Sequence, residues 1–228
     1  MKVYEAKDIA GKVSEGNTKM PGSTYALSAK HCLAGSKLAQ VEGSVCHRCY
    51  ALKLQKLRPS VDKGWTNNYL KATKMISENP SKWVEACTFQ ITRISNKTGE
   101  QYHRWFDSGD LQSVEMLSAI CSVATSTPQI KHWLPTREAK IVKDFLKSGG
   151  VIPDNLVVRV SSTMIDDAPI KGHANTSTVH RKTSTPHGHS CPASSKAHRA
   201  LRADKAANCG SCRTCWDKSV PNVSYPLN

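Results

Sequence analysis

The stretch HRWFDSGDLQSVEMLSAICSVATSTPQIKHWLPTREAKIVKDFLKSGGVIPDNLVVRVSS, His103 to Ser162, decides the fold. Three short runs rich in β-branched and aromatic residues, HRWF at 103–106, IKHWL at 130–134 and LVVRVSS at 156–162, begin 27 and 26 residues apart. Each interval is the length of one strand, one helix and two short connections. Between the first two runs, Val114, Leu117, Ile120, Cys121 and Ala124 recur at helical spacing over about Ser113 to Ala124, and Asp110 before them and Thr136 before the next helix are natural N-caps. Between the second and third, Ile141, Val142, Phe145 and Leu146 form the inward face of a helix that Gly149-Gly150 closes.

Repeated β/α units pack as parallel strands joined by right-handed helical crossovers. Working outward, TYALSA at 24–29 supplies a first strand that leads to His31 and Cys32. A helix follows Cys49 as far as the region of Pro59, another covers about Thr66 to Ile76, and Pro80 opens a third with Trp83, Val84, Cys87, Ile91 and Ile94 on one face. The expected class is therefore α/β. Four strands cannot close the eight-stranded barrel, so the expectation is a partial (truncated) parallel β/α barrel with a Cys-rich C-terminal segment. The polar first ~20 residues, with Gly11, Gly16, Pro21 and Gly22, read as a loosely docked lead-in. Residues 1–167 would form the partial barrel with an N-terminal Cys motif. Residues 168–228 would form a basic, Cys-rich segment packed at its mouth. Within it, about 168–192 reads as an irregular connection, about 193–206 as a helix, and VPNVSYPLN as a short returning strand.

Seven of the nine cysteines fall in two groups: Cys32, Cys46 and Cys49 near one end, Cys191, Cys209, Cys212 and Cys215 near the other. Each group closes on Cys-x-x-Cys followed by an aromatic residue, CHRCY and CRTCW. Such spacing converges two thiolates on one metal. The run CGSCRTC with the remote pair Cys191-Pro192 matches iron–sulfur habit, and the expectation is a 4Fe-4S cluster held by four of the seven, with zinc on the two Cys-x-x-Cys knuckles as the alternative. Three cysteines after a first strand would leave an iron open to substrate or to S-adenosylmethionine, as in a redox or radical enzyme. The Cys32–Cys46 interval is longer than the usual radical pattern, and no glycine-rich segment for the methionine moiety is apparent. Cys87 and Cys121 lie on helical stretches and read as buried small apolar residues.

The formal charge is +14, from 32 Lys and Arg against 18 Asp and Glu, and the stretch Lys171–Arg213 contributes eight basic residues and one acidic one. That balance suits a polyanion, so nucleic acid bound through the basic C-terminal segment is a candidate partner. No apolar run is long enough to cross a bilayer and no signal-peptide centre precedes the fold, so no membrane partner is expected. In a parallel α/β sheet, function gathers where strands end. Of the polar residues there, Asp107, Arg137 and Glu138 are candidates for contact with a substrate whose identity the residues do not specify.

Taken together, KHC…CHRCYALK, RWFDSGDLQSVE, IKHWLPTRE, LVVRVSS and CP…CGSCRTCW, in that order from about Lys19 onward, resemble the phage gene-product-88 family of tailed bacteriophages. A lesser similarity runs to phage radical-SAM-like proteins, which also place a cysteine pair before Tyr-Ala. The resemblance implies a phage-encoded protein expressed in the host bacterial cytoplasm. It implies no reaction.

Overall fold

A computed structural model describes residues 1–16, 19–195 and 208–227. Its strands are β1 (Ser23–Tyr25), β2 (Tyr102–Trp105), β3 (Lys131–Thr136), β4 (Leu156–Ile165), β5 (Thr176–His180), β6 (His189–Ser190) and β7 (Asn222–Pro226). Its α-helices are α1 (Val3–Ala10), α2 (Leu33–Leu38), α3 (Tyr50–Leu57), α4 (Pro59–Glu78), α5 (Pro80–Thr98), α6 (Val114–Thr125) and α7 (Ala139–Lys147). The seven strands form one sheet in the order β1-β2-β3-β4-β5-β7-β6, and every adjacent pair is parallel. From β1 to β5 the order follows the chain without reversal. That is a barrel-like course, unlike a doubly wound sheet, whose strand order turns back at a switch point.

The two faces of the sheet have different fates. One packs against the helices, burying Tyr25, Trp105, Leu134, Leu156, Val158 and Val160 with Trp83, Ile91, Leu117 and Ile120. At its centre Tyr25, Trp83 and Trp105 meet with ring centroids 5.9 to 6.0 Å apart, an arrangement worth more than its area alone. The opposite face carries a row set by register: Arg104 pairs with Trp133, Trp133 with Val157, Pro135 with Arg159, Ser161 with Ser177, Ser177 with Val223 and Val179 with Tyr225. Part of this face is covered by the C-terminal chain, where Trp216, Cys215 and Val223 pack on Trp133.

Helix boundaries follow local chemistry. Ser113 accepts the N–H of Met116 at 3.2 Å to start α6, and Asn79 accepts that of Lys82 at 3.1 Å to start α5, with Pro80 as its first residue. The N-terminal lead-in departs from expectation. Residues 3–10 are helical, Ala6, Ala10 and Val13 are buried, and two polar side chains hold the segment. Asn68 bonds the N–H and the carbonyl of Lys12, and Gln90 bonds the N–H of Val13 and the carbonyl of Gly11. Small residues carry little periodic signal, and the two amides that anchor them lie on distant helices.

The stretch read as irregular, 168–192, also differs: it contributes β5 and β6. The β5 sequence TSTVH is too polar to read as a buried strand, yet its hydroxyls are satisfied by neighbours. Thr178 donates to Ser224 Oγ at 2.9 Å, and Ser161 and Ser177 lie 2.8 Å apart. VPNVSYPLN returns as β7 as expected. The expected helix over about 193–206 lies largely outside the described residues. Among the described residues no helix is long and apolar enough to cross a membrane.

Candidate functional site

The C-terminal ends of the strands open onto a cleft of about 460 Å³. Its walls come from six of the seven strands or their exits: Cys32 after β1, Arg104 and Asp107 at β2, Trp133 and Arg137 at β3, Ser161 at β4, Ser177 at β5, and Tyr225 at β7. The Cys46–Leu52 side of the cleft belongs to the approach to α3.

The loop after β2 sets the geometry. Phe106 takes a left-handed φ of 53° while its N–H is held by the carbonyl of Tyr25 at 2.7 Å. A buried aromatic residue in that region costs of order 1 kcal/mol and persists because the surroundings impose it. The turn places Asp107 and Ser108 on the cleft wall. Gly109 follows at φ 79°, where an added Cβ would stand 2.5 Å from the Cβ of Leu27, so the chain closes against the exit of β1 only with glycine there. The Tyr50 hydroxyl donates to the carbonyl of Asp107, tying α3 to the same loop.

Asp110 organises the opposite wall. Its Oδ1 accepts from the Thr136 hydroxyl at 2.6 Å and the Leu111 N–H at 2.8 Å, and its Oδ2 accepts the Arg137 N–H at 2.9 Å. Burial raises its carboxyl above the usual range, against the pull of those bonds. Asp110 thus holds the β3 exit and presents Arg137. Glu138 lies behind the cleft wall: its Oε1 accepts the N–H of Ala34 at 2.7 Å, securing the start of α2 beside Cys32. Burial raises its carboxyl as well. Sequence reasoning did not single out Asp110, Thr136 or Tyr50 as a framework. Asp110 and Thr136 read alone as helix caps, and only their meeting reveals the role.

Five buried polar atoms on the cleft residues have no hydrogen-bond partner among the described residues: Arg104 Nε, Asp107 Oδ1, Ser108 Oγ, Trp133 Nε1 and Arg137 Nε. Neither arginine forms an ion pair among the described residues. Arg104 lies over the Trp133 ring, 4.6 Å from its centroid, and its Nη1 reaches the Met20 sulfur at 3.1 Å. Burial pushes the Asp107 carboxyl up, and Arg104 pulls it partly back.

The expected metal centre is not there. Among the described residues, no group of three or more His, Cys, Asp or Glu side chains is arranged to hold a metal ion. This overturns both the 4Fe-4S cluster and the zinc alternative, and with them the radical-SAM-like or redox enzyme and its S-adenosylmethionine. Nor do the two cysteine groups meet at the mouth. Cys32, Cys46 and Cys49 line the cleft, whereas Cys191, Cys209, Cys212 and Cys215 do not. Cys215 and Cys191 instead pack with Trp133, Trp216 and Tyr225 on the covered part of the sheet face.

Burial, with the neighbouring thiols of the same group adding to it, favours the neutral thiol at several of these sulfurs. It pushes Cys32 and Cys215 up to about 12 and Cys209 to about 11, and raises Cys46 and Cys191. Cys215 lies 3.2 Å from the Tyr225 hydroxyl and Cys212 3.3 Å from that of Thr214. His31 stacks on Tyr69 with centroids 3.9 Å apart. All nine cysteines are free. Cys87 and Cys121 are buried apolar residues, as expected.

The C-terminal cysteine loop is held through its backbone by Arg159. This fully buried arginine of β4 donates to the carbonyls of Thr214 (3.0 Å), Cys215 (3.1 Å), Thr176 (3.4 Å), Asp217 (2.7 Å) and Val220 (2.9 Å). Of the basic stretch, Lys196, Arg199, Arg202 and Lys205 lie outside the described residues. Arg181 pairs with Asp166, and Arg213 sits 5.0 Å over the Tyr102 ring.

Comparison with known proteins finds no match among curated proteins and none among solved structures. A family model described as Gene product 88 matches residues 2–218. That match covers the helical lead-in, strands β1 to β6, the cleft walls except Tyr225 and the cysteine loop, and the chain therefore belongs to the phage gene-product-88 family.

Proposed function

We propose that the protein binds a small anion-bearing ligand in the cleft at the C-terminal edge of its sheet, with Arg104 and Arg137 receiving the anion and Asp107 lining the same space. The observation that carries this reading is the pair of guanidinium groups that line one cleft without an ion pair among the described residues, each with a buried Nε that has no acceptor among them. A buried donor left unpaired costs roughly 1–3 kcal/mol, which an anionic ligand would recover. The volume of about 460 Å³ suits a metabolite-sized molecule, and the net charge of +14 draws anions toward it.

In this reading residues 1–167 form a truncated β/α barrel and 168–228 complete it, closing the sheet face below the cleft. It is supported by the unreversed course from β1 to β5 and by the packing of Trp216 and Cys215 on Trp133.

Isothermal titration with inorganic phosphate and with small mono- and dicarboxylates tests the assignment. Binding should fall about tenfold or more in Arg104→Gln and in Arg137→Gln. Equal affinity in wild type and both variants defeats it. A second reading, contact of the basic Lys171–Arg213 stretch with nucleic acid, rests on the charge excess and is read from a steep loss of DNA binding with added salt.

A further inference from the structure

Resting on the anion-binding reading, we infer that the ligand is a zwitterion of the amino-acid type, whose carboxylate meets Arg104 and Arg137 and whose ammonium meets Asp107. The argument starts from what a simple anion would leave undone. Asp107 is half-buried, its Oδ1 has no partner among the described residues, and burial disfavours its charge although Arg104 and the Thr24 hydroxyl offset part of that. A phosphate or plain carboxylate would satisfy the arginines and still leave this acceptor unpaired, with a second negative charge brought near it.

Asp110 does not face the same problem. Its two oxygens are occupied by Thr136, Leu111 and Arg137, so it serves the framework and leaves Asp107 as the carboxylate available to a ligand. An ammonium supplies the missing donor at Oδ1 and adds its charge to that of Arg104 against the cost of burial. The Ser108 hydroxyl, without a partner among the described residues, lies next along the chain on the same wall, itself buried, and can accept from that ammonium. The hydroxyl wall of Ser161 and Ser177, the Trp133 ring and Tyr225 are left to contact the rest of the molecule. One face of the cleft thus offers donors and the adjoining loop offers acceptors, the complement of a molecule bearing both charges.

The test is titration of the full chain with the common L-amino acids singly, with their N-acetyl derivatives, and with inorganic phosphate. The N-acetyl compounds keep the carboxylate and lose the ammonium. The expected result is that at least one free amino acid binds about tenfold or more tighter than its N-acetyl derivative, and that Asp107→Asn abolishes this difference. If N-acetyl compounds or phosphate bind as well as every free amino acid, the zwitterion is overturned while anion binding stands. If none of these probes binds, both are overturned. Should Asp107→Asn fail to fold by circular dichroism, the wild-type comparison of free and acetylated forms decides alone.

Discussion

The Glu138 carboxylate accepts the main-chain N–H of Ala34 at 2.7 Å, joining the exit of β3 to the loop that carries Cys32. The two residues are separated by 104 positions, and the bond fixes one side of the cleft to the other. Gly35 follows in α2. An added Cβ there would lie 2.9 Å from the Cβ of Cys32, so the helix tolerates no side chain at this position without a shift.

Replacing Glu138 by alanine should therefore loosen α2 more than it unfolds the protein. The expected cost is about 1 kcal/mol, the low end for stranding a donor, because this bond is only part-buried. Hydrogen exchange should speed up over residues 33–38, while β3 and β4 keep their protection. Unchanged exchange over 33–38 would remove Glu138 from this role.

Arg159 predicts a larger effect. Its five bonds all go to main-chain carbonyls, so Arg159→Met strands several acceptors at once and should destabilise by roughly 3–5 kcal/mol. Arg159→Lys keeps the charge but not the planar fork and should recover only part of the loss. Urea denaturation of the three proteins measures this, and a lysine variant as stable as wild type contradicts the account.

The buried histidines make stability fall in mild acid. Trp105 Nε1 donates to His132 Nδ1 at 3.2 Å, which leaves the His132 Nε2–H facing Thr127 Oγ1 at 2.8 Å and the ring neutral. Burial pushes His132 down to about 3 from an ordinary 6.5, and burial first, then His132, lowers His103 well below that value. Between pH 6.5 and about 3 the unfolded chain binds a proton at His132 that the native state refuses, so stability drops as pH falls through that window. The slope from one such group is about 1.4 kcal/mol per pH unit. Urea midpoints at pH 7 and pH 5 should differ in wild type and differ less in His132→Asn; equal midpoints in wild type rule the mechanism out.

Thiol reactivity follows the same environment. With Cys32 and Cys215 pushed up to about 12, the thiolate fraction at pH 8 is small, and iodoacetamide should label both slowly in the native protein and rapidly in urea. Cys87, fully buried in the core, should resist native labelling altogether. Peptide mapping by mass spectrometry gives each rate. Fast native labelling of Cys32 would show that its thiol is not held in the neutral state described here.

The parallel course of the central sheet was legible because HRWF, IKHWL and LVVRVSS alternate with helical faces at a regular interval, and that periodicity is local. So were the helices that start at Pro80 and at about Ser113, although the second is capped by Ser113 itself while Asp110, the cap its sequence suggests, bonds Thr136 and Arg137 instead. The N-terminal helix and β5 were not legible. Alanines anchored by Asn68 and Gln90, and hydroxyls paired across strands, draw their burial from residues far along the chain. Cysteine spacing misled for a related reason. Two thiols at Cys-x-x-Cys spacing are compatible with a shared ligand, but whether sulfurs converge, and whether they ionise, depends on what surrounds them after folding.

Sequence alone determined the β/α order of this protein, the helix boundary marked by proline, and the strand ends at which Cys32, Asp107 and Arg137 fall, because periodicity and capping act over a few residues. Tertiary structure decided the rest. It placed Cys32, Cys46 and Cys49 on an open cleft and Cys191 and Cys215 on a packed face, engaged Asp110 and Glu138 in the framework, and left Arg104, Asp107 and Arg137 with atoms that have no partner among the described residues around one space. Partners and burial are properties of neighbours brought together by folding, and those neighbours stand tens of residues apart along the chain.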